Sequence, residues 1–138
     1  MYRHLKYTLK TSIYEIDNLA TYLDEALEGI NISTDKYNNI LLALTEAVNN
    51  AIIHGNKNDI TKHIILEFVL SDETFKVIVT DEGEGFDLNK VPDPTLPENL
   101  LNEHGRGIFI MKHFVNELLT EKLKNGSSVI LKINLKNN

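Results

Sequence analysis

Residues 43–56 read ALTEAVNNAIIHGN, a stretch of apolar residues at helical spacing interrupted by Glu46, Asn49, Asn50 and His54. Burying a carboxylate or an amide costs free energy unless the group finds a partner. Either neighbouring protein groups satisfy these side chains, or a bound molecule does. Tyr37, Ile40, Leu41, Leu44, Val48, Ala51 and Ile52 form one apolar seam along the same helix. Glu46 and Asn50 stand on the opposite side at i,i+4, where Cβ atoms lie about 5–6 Å apart. Leu42 and Ile53 share that side, so it is not an ordinary solvent face. A carboxylate and an amide projecting together from a half-covered face suit a hydrated Mg2+ ion and a reacting water or hydroxyl. The alternative is a polar patch satisfied by neighbouring backbone.

Outward from this helix, Ser33 or Thr34 is the expected N-cap, and Gly55 and Asn56 the end. Residues 5–13 form a first strand; Ile16, Leu19, Ala20, Leu23 and Leu27 then mark a first helix that Gly29 stops. HIILEFVL (63–70) and FKVIVTD (75–81) read as strands joined by the turn SDET. Ile108, Met111, Phe114, Val115 and Leu118 predict a third amphipathic helix. NELLTEKLK and SSVILKINL flank Asn125-Gly126, a strong hairpin signal. Helices and mostly adjacent strands imply an α+β sandwich with helices covering one sheet face.

The 138 residues correspond to a single domain, 1–138. The absence of cysteine excludes disulfides and thiolate metal sites and is compatible with a reducing cytoplasm. No apolar run approaches the roughly 18 residues of a membrane span. The opening MYRHLKYTLK lacks the apolar centre of a signal peptide. A net charge of −6 argues against direct nucleic-acid binding. All 3 prolines fall between Phe86 and His104, and four of the 7 glycines bracket that stretch. A long nonhelical segment with glycine pairs at both margins suggests a lid over about 86–104.

Two further stretches carry chemistry. VTDEGEGFD (79–87) ends a strand with Asp81 and turns on Gly83 and Gly85. A buried carboxylate there can accept a hydrogen bond from an exocyclic amine, while the glycines let the chain pass beneath a flat base; a surface loop is the plain alternative. EHGRGIFIMKHF (103–114) opens a helix on Gly105-Arg106-Gly107, and exposed N–H groups at a helix start attract phosphate. Neither a GxxxxGK[ST] loop nor HRD and DFG motifs occur, so any nucleotide site here is built differently.

In this order, TEAVNNAIIHG, DEGEGF and GRGIFIM resemble the N box and the two glycine boxes of the GHKL superfamily of ATPases and kinases. More narrowly, the whole chain resembles bacterial anti-sigma factors that are serine/threonine kinases. The resemblance implies a two-layer α/β sandwich, with a mixed, mostly antiparallel sheet and helices on one face. It implies ATP and Mg2+ as cofactors. Asn50 would be the metal ligand, with Asn49 beside it, and Glu46 the general base acting on a serine hydroxyl. Asp81 would bind the adenine amino group, Gly83 and Gly85 would border the base, and Gly105, Arg106 and Gly107 would cover the phosphates. Ser127 or Ser128 would supply a hydroxyl near the adenine, Ser128 being the residue assigned. The implied partners are a STAS-type anti-anti-sigma protein, which is phosphorylated, and a sigma factor, which is sequestered; homodimers are usual, and the setting is cytoplasmic.

One departure stands out. From Thr11 to Asp35 the chain has no Lys or Arg, whereas relatives that grip sigma factors commonly use basic residues on the first helix. The rival reading is an ATP-gated binding module without kinase activity. A third, the detached catalytic domain of a histidine kinase, needs an upstream helical hairpin with an acceptor His, for which a chain starting at Met1 leaves no room.

Overall fold

The computed structural model describes residues 1–90, 95 and 103–136. Five strands, β1 Arg3–Lys10, β2 His63–Leu70, β3 Thr74–Asp81, β4 Glu117–Leu123 and β5 Gly126–Asn134, lie in the order β1-β2-β3-β5-β4. Every pairing among the described residues is antiparallel. With α1 Leu19–Ala26, α2 Thr34–Asn50 and α3 Glu103–Phe114 they form a two-layer α+β sandwich. Most of the stretch 86–104, the expected lid, lies outside the described residues.

Alternation along the strands creates the core. Ile64, Leu66, Phe68 and Leu70 of β2 and Phe75, Val77 and Val79 of β3 are buried, and the residues between them are not. Ile40, Ala43, Leu44, Ala47 and Val48 of α2 belong to the same core. Ser33 caps α2 as expected, its Oγ accepting the Lys36 N–H at 3.1 Å. The first helical segment starts as a 3-10 turn, Ile13–Asn18, before α1 proper. Two of its acidic residues fix its place: Asp24 accepts the Tyr37 hydroxyl from α2, and Glu25 accepts the Tyr7 hydroxyl from β1 at 3.0 Å. Burial and then these bonds push both phenols up to about 12.

Two expectations need correction. The third helix ends at Phe114, so Val115 lies beyond it and Leu118 belongs to β4, opposite Leu131. The β4–β5 hairpin exists, but Leu123 pairs with Gly126 and the turn residues are Lys124 and Asn125, neither with positive φ. Gly126 is required for a different reason. A Cβ there would stand 2.2 Å from the Asp81 carbonyl oxygen, on the neighbouring end of β3.

The end of α2 sets up everything that follows. The helix widens into a π-turn, Ala51–Gly55, and the Asn56 N–H bonds to the Ala51 carbonyl at 2.8 Å. Such turns recur at functional sites. Asn56 itself is fully buried. Its Nδ2 donates to Thr11 Oγ1 at 2.9 Å and to the His63 carbonyl at 3.1 Å, and its Oδ1 accepts the Glu82 N–H at 2.7 Å. One amide thus joins the ends of α2, β1 and β3 to the start of β2. Asn56→Ala removes three hydrogen bonds, one of them to the buried Thr11 hydroxyl, and should cost about 3 kcal/mol of stability, read as a lower denaturation midpoint with unchanged slope.

Candidate functional site

The answer to the question raised by residues 43–56 begins with what the polar side chains touch. Asn50 is buried at 8% exposure and Glu46 is half-buried. Among the described residues neither side chain, nor that of Asn49, makes a hydrogen bond. Glu46, Asn49 and Asn50 instead line a narrow cavity of about 30 Å³ with Ile53, His54, Glu103, His104 and Gly107. The far wall of that cavity is the first turn of α3, where Gly105 and Gly107 are buried and Arg106 is exposed. A Cβ on Gly107 would stand 2.9 Å from Glu46 Oε2, so a larger residue there would displace the Glu46 carboxylate from its present position. Burial pushes the Glu46 carboxyl above its ordinary range, and the charge of Arg106 pulls it back only in part.

At the other end of the site, Asp81 closes β3 and is buried at 6% exposure. Its Oδ1 accepts the Gly83 N–H at 2.8 Å and the Ser127 hydroxyl at 3.2 Å, while Oδ2 accepts no hydrogen bond among the described residues. Burial raises this carboxyl as well, against those two hydrogen bonds. Gly55 connects the two ends. A Cβ on Gly55 would fall 2.2 Å from Asp81 Oδ2, and one on Gly83 would fall 2.3 Å from the Gly55 carbonyl oxygen. Backbone therefore packs on backbone between the π-turn and the loop after β3. Gly85, at φ +79°, carries that loop past Ser127. A cleft of about 390 Å³ opens beside Gly85, Phe86, Lys122 and Ser127. A larger cavity of about 810 Å³, lined by Tyr2, Lys76, Lys132 and others, lies away from these groups.

All three segments singled out in the sequence thus meet. Ser128 is the exception. Strand alternation puts it on the opposite sheet face, hydrogen-bonded to Thr80 Oγ1 at 2.6 Å, and Ser127 is the serine that faces Asp81. Period-two alternation from Asp81 through its register partner would have found this, but the register itself is not visible in the sequence. Asn56 and His104 were also missed as positioned groups, because their partners lie on other elements.

Residues 12–133 match the histidine kinase-like ATPase domain. An anti-sigma F factor of Geobacillus stearothermophilus is 35% identical over 105 residues, which span 72% of this chain and 70% of the relative. The serine-protein kinase RsbW of Bacillus subtilis (strain 168) is 28% identical over 101 residues, spanning 69% of this chain and 61% of that protein. A crystal structure of the RsbU and RsbW domains of a Mycobacterium tuberculosis protein superposes with a TM-score of 0.69 at 21% identity, over 96% of this chain. This chain spans 32% of the length of that solved protein, and the likeness is one of fold.

Proposed function

This chain belongs to the histidine kinase-like ATPase family, and on that premise we propose that it is an ATP-dependent protein-serine kinase and anti-sigma factor. The observation that carries the reading is the pair of half-buried Glu46 and buried Asn50, one helical turn apart on the cavity wall with no side-chain hydrogen bond from the described protein. Both side chains face the cavity and spend no hydrogen bond on the described protein, so they are open to a ligand.

In this reading Asp81 Oδ2 accepts the adenine amino group, with Ser127 beside it and Gly83 and Gly85 bordering the base. The backbone N–H groups of Gly105 to Gly107 and the charge of Arg106 meet the phosphates. Asn49 adjoins them, and the segment 86–104 serves as the lid. The donor set suits Mg2+. Among the described residues no three His, Cys, Asp or Glu side chains cluster to cage a metal. This ion keeps its waters and phosphate oxygens and needs little more than one hard oxygen, which Asn50 offers. Bound there, Mg2+ neutralises phosphate charge. Glu46 takes the proton of a substrate serine as its oxygen bonds the terminal phosphorus and the bond to ADP breaks. Phosphoryl transfer asks mainly for such positioning and charge neutralisation.

The substrate is a STAS-type anti-anti-sigma protein, and about two added negative charges on its serine disrupt docking. A sigma factor is the sequestered partner, the chain acts as a homodimer, and the setting is the cytoplasm. Among the described residues no helix is long and apolar enough to cross a membrane. The test is incubation with labelled ATP and a STAS-type protein taken from the neighbouring genes. Label on a serine is the expected result; tight ATP binding without label leaves the ATP-gated binding module, for which Glu46 has no task.

A further inference from the structure

We propose that His104 donates a hydrogen bond to the terminal phosphate of the bound nucleotide and so sets the preference for triphosphate over diphosphate. This rests on the nucleotide reading of the cleft and adds to it a residue outside the glycine pair. His104 is the second residue of α3 and lines the narrow cavity directly across from Glu46 and Asn50 on α2. Its Nδ1 is the one buried side-chain nitrogen or oxygen among the described residues that has no hydrogen-bond partner. Native proteins seldom leave such an atom unsatisfied, and a bound acceptor resolves it.

The ring is held rather than free. The His54 imidazole lies against it with centroids 4.2 Å apart, and Phe86 meets it edge-on at 5.1 Å. Burial and the neighbouring His54 both lower the proton affinity of His104. A neutral imidazole still offers one N–H, which suits a phosphate oxygen. The titratable and charged groups around the ring are Glu46 on α2, Glu103 and Arg106 on α3, and the His54 imidazole on the π-turn. Position selects the terminal phosphate. Asp81, where the base binds, lies across Gly55, whereas His104 shares its cavity with Glu46, the base for the attacking hydroxyl. A diphosphate would stop short of it.

The experiment is a titration of the full chain with Mg-ATP and with Mg-ADP, for the natural sequence, His104→Leu and His104→Asn. His104→Leu should lose on the order of tenfold in ATP affinity with ADP affinity held within about twofold. His104→Asn should recover most of the loss, because its amide nitrogen stands where Nδ1 does. Equal losses for both nucleotides, or tighter binding of both because the ring merely fills the space, would overturn the proposal. Ring nitrogen NMR on the unaltered chain needs no substitution: the Nδ1 resonance should move with ATP and not with ADP, and identical shifts count against the assignment. If the unaltered chain binds neither nucleotide, the site reading itself fails, an outcome that its own titration separates from the others.

Discussion

Glu46→Gln should slow serine phosphorylation by about two to four decades while Mg-ATP affinity stays within about twofold, the scale expected for loss of a general base. Glutamine keeps the shape of the side chain against Gly107 and removes only the ability to take a proton. The same change should raise stability at neutral pH. Burial pushes the Glu46 carboxyl above the ordinary 4.5. Between that value and the raised one, the folded chain holds a proton that the unfolded chain has released. Stability therefore falls as pH rises through this window, and the loss persists above it. Removing the charge removes the loss. Two measurements decide the matter: initial rates of transfer to the STAS protein, and Tm at pH 7. A rate within twofold of the natural chain sinks the base assignment, and a lower Tm sinks the account of the burial. The natural enzyme should also show an acid limb displaced upward from the ordinary carboxylate range, since Glu46 works only when ionised.

The elements with strong local signals were legible in the sequence. Alternation in HIILEFVL and FKVIVTD marked β2 and β3, and Ser33 announced α2 through a hydroxyl three residues from the N–H it accepts. The three candidate segments that the fold brings together were legible too, because glycine pairs and polar interruptions of an apolar face are local features. What remained hidden depends on contacts between distant residues. Gly126 looked like a turn residue and proved to be a close-approach residue against Asp81. Asn56 looked like a helix stop, yet it joins the ends of α2, β1 and β3 to the start of β2. Ser127 and Ser128 are adjacent and chemically identical, and only the β3–β5 register separates them. The acidic first helix is similar: Asp24 and Glu25 have tyrosine partners on α2 and β1, so part of its charge pattern serves the fold and not a partner.

Asn50→Ala should abolish Mg-dependent nucleotide binding and leave the fold intact. Asn50 ends α2 and Asn56 follows the π-turn six residues later, and both are buried. Every polar atom of the Asn56 amide is engaged by protein. The Asn50 amide has no such bond among the described residues. Truncating Asn56 therefore breaks the structure's own bonds, whereas truncating Asn50 removes an amide that lines the cavity and makes no side-chain bond among the described residues. The expected split is sharp: lower stability with Asn56→Ala, and unchanged or higher Tm with Asn50→Ala. For nucleotide, even outer partners of a metal ligand are worth about ten- to a hundredfold in metal affinity, so losing the ligand itself should cost on the order of a hundredfold or more. Calorimetric titration with ATP in magnesium and in EDTA reads this directly. In the natural chain magnesium should strengthen binding, and in Asn50→Ala the two titrations should converge on the weak value. If Asn50→Ala retains the full magnesium dependence, the ion is held elsewhere and the amide needs another explanation.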